Sequence, residues 1–258
     1  MVNQPMKTKT NGLPVVSKRE LDTLGEDLIW DFQPEAIRNP SPVDIERFVE
    51  CYLRMTPDYQ YLSHNGVYLG MTVFNDTDKV PVYDPSTNRA EYISAKAGTV
   101  IIDTRLLAEN QQHRYRFTLG HEGSHSILHS EYFAYQASMN ELYKRVFGGN
   151  NTPMIQCRMD NTVHRKGDYW SDRDWMEWQA NSLSSAILMP KRAVEKVVES
   201  VDYKGANNFL LRMKLVSIIS NVFDVSTTAA EIRLSELGLV EKTKEPTTFD
   251  DYFPSLEI

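Results

Sequence analysis

His121-Glu122-Gly123-Ser124-His125, an H-E-x-x-H, lies inside Arg114 to His129, a run that reads as one helix, and the rest of the chain can be placed relative to it. Residues four apart stand one turn up the same helical face, so both imidazoles can reach a single ion held just off that face. Glu122, next to the first histidine, projects toward the same cleft, where a carboxylate can take a proton from a water at the metal instead of ligating the metal. This is the arrangement of a zinc hydrolase. An amphipathic helix with merely packed histidines would show the same five residues, so the reading turns on a third protein ligand, with a fourth position open to water.

Three residues are candidates for that ligand: His129, His164 and Glu177. His129 is eight residues beyond His121, a rise of about 12 Å along a continuing helix, and no glycine follows His125 to turn the chain back. It is a poor ligand. Glu177 falls in Ser171 to Pro190, a segment with a capping start at Ser171 to Asp174 and a proline stop. Asn181, one turn after Glu177, could accept a hydrogen bond from the outer nitrogen of a metal-bound imidazole. The competing use of Glu177 is a capping box with Asp174. The upstream histidine pair favours an inward-facing Glu177.

His121-Glu-Gly-Ser-His-Ser-Ile-Leu-His129, Glu177-Trp-Gln-Ala-Asn181 and Ala186-Ile-Leu-Met-Pro190 together resemble the ImmA/IrrE family of metallo-endopeptidases. Phe223-Asp-Val-Ser and Ile232-Arg-Leu-Ser-Glu-Leu-Gly-Leu239 look like the segment that follows the peptidase domain in that family, so the resemblance covers residues 45–240. It implies that His121, His125 and Glu177 bind Zn2+ and that Glu122 is the catalytic carboxylate. One departure is visible. The family usually shows Glu-Leu-Gly-His where this chain has Glu122-Gly-Ser-His125, so packing behind the helix is expected to differ while every ligand is kept.

The 258 residues are 41% hydrophobic, enough for a buried core, and the net charge of −7 disfavours nonspecific binding to nucleic acid or anionic membranes. No apolar run approaches the ~20 residues of a membrane span, and Met1 to Asn11 lacks a signal-peptide core. Cys51 and Cys157 read as unpaired thiols in a reducing compartment, so a cytoplasmic location is expected. Cys157 with His164 as a thiol nucleophile and base is disfavoured, because no third orienting group is near in sequence.

Residues 1–15 are expected to be loose, followed by a helix that opens at a Ser17-to-Glu20 capping box and runs to Phe32. Ile45, Phe48, Val49 and Leu53 give an amphipathic helix over 43–55. From Tyr61 to Asp103, short Val, Thr, Tyr and Ile runs separated by Asn65-Gly66, Asp76 to Asp78 and Pro85 to Asn88 read as strands and hairpins. Tyr132 to Phe147 reads as a further helix, and residues 155–166 as a small hairpin that turns at Asp160-Asn161. Tyr132, Tyr169 and His164 are candidate stabilisers of an oxyanion.

Leu210 to Val222, a turn at Asp224, and Thr227 to Leu237 form a helix-turn-helix-like pair. Its second helix sets Arg233 against Glu231 and Glu236, too acidic for a reader of base edges and phosphates, so DNA binding is not expected.

The fold class expected is α+β: a zincin-like peptidase domain, with a small mixed or antiparallel sheet and the active-site helices, carrying a helical helix-turn-helix-like appendage. The segments are an N-terminal extension and helix (1–42), the peptidase domain (43–200), the helical pair (201–240) and a disordered tail (241–258). The function expected is zinc-dependent endopeptidase. The resemblance further implies a narrow cytoplasmic substrate, a helix-turn-helix transcriptional repressor cut once in an exposed segment and held by strand addition beside Thr99 to Asp103. The alternative is a non-catalytic metal-binding regulator that acts by binding protein or DNA.

Overall fold

The computed structural model describes residues 6–147, 154–158, 170–202 and 208–241. Helix α1 (Lys18–Phe32) starts at the expected capping box: Glu20 N donates to Ser17 Oγ, and Ser17 N donates to Glu20 Oε2 at 2.7 Å. A single turn, α2 (Glu35–Arg38), follows. The uninterrupted helix expected over 43–55 does not form. Asp44 caps one α-turn, α3 (Ile45–Arg47), which widens into a π-helical turn over Phe48–Tyr52, and Arg54 at φ 59° ends it. The segment still buries Ile45, Phe48, Val49 and Leu53.

Six strands follow: β1 (Thr56–Gln60), β2 (Tyr68–Val73), β3 (Thr77–Asp84), β4 (Arg89–Ala95), β5 (Thr99–Asp103) and β6 (Met154–Arg158). Four of them form a mixed sheet in the order β1-β5-β2-β6, with β1 parallel to β5 and the other pairs antiparallel, while β3 and β4 make a separate hairpin. Alternation across the pleat divides the core. Leu69, Val100 and Ile102 face the helices, whereas Met71, Val73 and Ile101 pack with Val80 and Val82 of the hairpin.

Covered on both faces, β5 is buried at every residue and paired along both edges. This corrects the expectation that Thr99 to Asp103 is an exposed strand able to add a peptide: its apolar run marks a central strand. β1 begins ahead of the expected strand region, and Pro57 is tolerated in it because β1 ends the sheet.

Helix α4 (Gln112–Phe147) packs on β2 and β5 and against α5 (Asp172–Leu188), and α5 in turn packs against α1. The two helices expected over 114–129 and 132–147 are one, since no glycine or proline interrupts the chain between them. α6 (Lys191–Ser200), α7 (Asn208–Phe223) and α8 (Thr227–Glu236) complete the fold. Leu215, Ile219, Phe223, Ala230 and Leu234 enter the same apolar cluster as α1 and α5, so the helical pair packs into the core. The architecture is mixed α+β, and no helix among the described residues is long and apolar enough to cross a membrane.

The described part of the N-terminus is not loose. Residues 7–15 double back, with Lys9 N bonded to Leu13 O at 2.7 Å, and clasp the start of α5 through Lys9 and Asn11, both bonded to Asp172 at 2.7 Å. Leu13 is fully buried against Phe133 and Met176. This apolar anchor outweighs the polar composition that suggested looseness.

Candidate metal centre

α4 and α5 face each other, and His121, His125 and Glu177 meet where they do; all three are buried. Their ligand atoms lie within 4.8 Å of one another. His121 Nε2 stands 2.9 Å from His125 Nε2, and Glu177 Oε2 is 3.3 Å from the first nitrogen and 3.8 Å from the second. Ser171 and Asp174 form the capping box of α5, so Glu177 is not drawn into capping and turns inward.

Asn181, one turn further along α5, places its Oδ1 2.7 Å from His121 Nδ1. A carbonyl oxygen can only accept, so His121 carries a proton on Nδ1, and in the neutral ring Nε2 is the bare nitrogen. Burial pushes His125 down to about 4, with His121 adding to the effect and Glu177 opposing it. The ring is therefore neutral at ordinary pH, and its contact with Glu177 is no ion pair. Burial alone would raise Glu177, but positive charge on the facing imidazoles, or a cation in its place, outweighs burial and holds the carboxyl below the usual carboxylate range.

Glu122 sits one residue along α4 and reaches β2. Thr72 Oγ1 lies 2.6 Å from Glu122 Oε2, and a Cβ on Gly70 would stand only 2.6 Å from Glu122 Oε1. Burial pushes this carboxyl up to about 7, against the lowering pull of His121 and Thr72. A carboxylate poised there can both take up and release a proton. Behind the motif, a Cβ on Gly123 would meet Leu53 Cδ1 at 3.1 Å and Val49 Cγ2 at 3.2 Å, so the displaced glycine is where the π-turn packs against α4.

The donor set fits a cation. Two imidazoles and a carboxylate converge, and the buried Oε1 atoms of Glu122 and Glu177 have no hydrogen-bond partner among the described residues. Buried acceptors are normally satisfied, and an ion or a water is one reason for such an exception. The His121–His125–Glu177 group could hold a metal ion.

The remaining expected residues fall elsewhere. His129 is not in the donor set; its Nδ1 lies 2.9 Å from His125 Nδ1 and its Nε2 2.9 Å from Gln179 Oε1. Tyr132 packs edge-on to Phe133 beside the N-terminal clasp. His164, Tyr169 and the Asp160-Asn161 turn lie outside the described residues, as does the 242–258 tail, and of Cys157 only the backbone, in β6, is described. Cys51 is a free, exposed thiol.

Arg233 is fully buried, donating from Nε to Met189 O at 3.0 Å and pairing with Asp22, so it is not available to phosphates. Sequence reading missed Gly70, Thr72 and Gln179. A glycine inside a strand pattern signals close backbone approach and could have found Gly70. Nothing local marks the other two.

A scan against protein-family models finds no match to this sequence, and a search of curated proteins finds no significant relative.

Proposed function

We propose that the protein is a zinc-dependent endopeptidase of zincin-like fold, a member of the ImmA/IrrE family, that cuts one specific cytoplasmic protein such as a helix-turn-helix repressor. The observation that carries this reading is the convergence of His121, His125 and Glu177 beside a buried, unshared carboxylate oxygen of Glu122. Tetrahedral zinc with ligand bonds of roughly 2.0–2.1 Å needs donor atoms about 3.3 Å apart. The separations of 2.9, 3.3 and 3.8 Å bracket that value.

Bound zinc would supply Lewis acidity, polarising a scissile carbonyl and bringing the pKa of water to about 7. Glu122 takes the proton of the attacking water and returns it to the leaving amine, while Thr72 holds the carboxylate in place through Oε2 and leaves Oε1 to the reaction. His121, His125 and Glu177 hold the metal, and Asn181 orients His121. Burial supports narrow specificity: Glu122 is 0% and Glu177 4% exposed, so an extended polypeptide must displace part of the protein to reach them.

The test has two parts. Metal analysis of purified protein should find close to one zinc per chain. Mass spectrometry of lysate incubated with wild type and with Glu122→Gln should then find a single zinc-dependent cut, absent from the variant. Cleavages across many unrelated proteins would leave a general endopeptidase. Zinc retained with no cleavage at all would favour a metal-holding regulator.

A further inference from the structure

His121 is oriented by a short contact to an amide, but among the described residues His125 meets no amide or carboxylate at its outer nitrogen. Its Nδ1 faces a third imidazole, His129 Nδ1, at 2.9 Å. Both rings are fully buried, so a proton must lie between these nitrogens for the contact to be favourable. Which ring owns it follows from the far end of the chain of contacts. The carbonyl of Pro14 can only accept, and it lies 2.9 Å from Gln179 Nε2, so the Gln179 amide nitrogen faces Pro14 and its oxygen faces His129.

That oxygen, 2.9 Å from His129 Nε2, can only accept as well, so neutral His129 is protonated on Nε2 and bare on Nδ1. The shared proton then belongs to His125 Nδ1, and His125 Nε2 is left bare toward His121 and Glu177. The opposite assignment would turn the Gln179 amide around and set its oxygen against the Pro14 carbonyl with no proton between them.

We propose that His129 and Gln179 are positioning residues, and that with the Pro14 carbonyl of the N-terminal clasp they fix His125 as the Nδ1–H tautomer whose Nε2 binds the metal. The relay runs from Pro14 O through Gln179 and His129 to His125, with each donor and acceptor used once. It has a further consequence at the centre itself. With His121 neutral, Asn181 leaves its Nε2 bare as the relay leaves His125 Nε2 bare, so the 2.9 Å approach of these nitrogens calls for a positive charge between them, a metal ion or a proton. The clasp, anchored by Leu13 and by Asp172, is thereby part of the support of a metal ligand although it lies over 100 residues away in sequence.

The proposal deepens the metal-site part of the function proposed above and is tested without any peptide substrate. Long-range proton–nitrogen correlation NMR of histidine-labelled, full-length wild type, recorded as purified and with zinc added, reads the tautomers directly. The expected pattern is a proton on Nε2 of His129 and on Nδ1 of His125; a proton on Nδ1 of His129 would overturn the relay. Zinc affinity from competition with a chromophoric chelator is the second readout.

Gln179→Met, similar in size but without an acceptor, should weaken binding about 10- to 100-fold. Equal affinity in Gln179→Met would also overturn the relay. If that variant does not fold, the wild-type spectrum alone decides. A protein that shows the expected tautomers and binds zinc but cuts nothing keeps the relay and loses the peptidase; one that takes up no zinc loses the metal reading while its tautomers remain readable.

Discussion

Two clusters of buried ionisable groups adjoin α5, and they differ in charge balance. At the C-terminal cap of the helix, Arg233 pairs with Asp22, donates to the Met189 carbonyl and lies 4.0 Å from Glu236, which is itself paired with Lys18. Two cations meet two carboxylates. On the inward face, Glu122 and Glu177 stand among imidazoles, of which burial keeps His125 neutral, and no lysine or arginine among the described residues pairs with either carboxylate. Burying a charge is tolerable only when it is compensated. The first cluster supplies its own compensation and is a fastening between α1, α5 and α8, whereas the second has no paired lysine or arginine and would gain its compensation from a bound cation.

The sharpest way to break this comparison is to change one carboxylate at the centre and one cation at the fastening. Glu122→Gln should lower cleavage by about 10²- to 10⁴-fold, the usual contribution of a general base, while zinc occupancy and melting temperature hold. Loss of the metal in this variant would make Glu122 a ligand and not the base. Arg233→Met should do the reverse. Leaving Asp22 without its partner should cost up to about 3 kcal/mol in urea unfolding, with zinc per folded chain unchanged. A variant as stable as wild type would mean that the fastening contributes nothing.

The two clusters were unequally legible in the sequence. His121, Glu122 and His125 were readable because helical spacing fixes their common face, and Glu177 because Ser171 and Asp174 account for the capping of its helix. The supports of that same centre were not. Thr72 reaches Glu122 across 50 residues, and Gln179 joins Pro14 across 165 residues, distances at which periodicity says nothing.

The role of Arg233 was not legible for the same reason: its partners Asp22 and Met189 come from other elements. The strands were legible as strands, but pairing was not. Thr99 to Asp103 looked available until β1 and β2 were seen along its two edges. The π turn within 43–55 was not legible either; its Val49 and the Leu53 that follows pack on Gly123 of α4.

A smaller effect sharpens the charge argument. On the zinc proposal the folded centre binds the ion while the unfolded chain does not hold its ligands together, so zinc at 100 times its dissociation constant should raise stability by about 2.7 kcal/mol. Chelator should remove that increment. In Glu177→Ala the increment should vanish, since one of three ligands is gone, whereas His164→Ala should keep it. The opposite pair of results would show His164 to be the third ligand and would leave Glu177 an uncompensated charge.

The smallest expected effect tests whether the base must be held where β2 holds it. A Cβ at Gly70 would fall 2.6 Å from Glu122 Oε1, 2.8 Å from Thr118 Cγ2 and 2.9 Å from Glu122 Cγ, so Gly70→Ala cannot be accommodated without moving the carboxylate or the strand. Overpacking of this size costs about 1–3 kcal/mol in a buried setting. β5 and β6 pair on either side of β2, which resists a shift of the strand, so the displacement should fall on the Glu122 side chain. That loosens its contact with Thr72 Oγ1 and carries Oε1 away from the metal. Cleavage should therefore fall by up to about 10²-fold, the scale of an ångström's misplacement, with zinc still bound because neither histidine touches Gly70. Gly70→Ala with full activity and an unchanged melting temperature would show that the base tolerates displacement and that the tight fit of β2 on α4 serves packing alone.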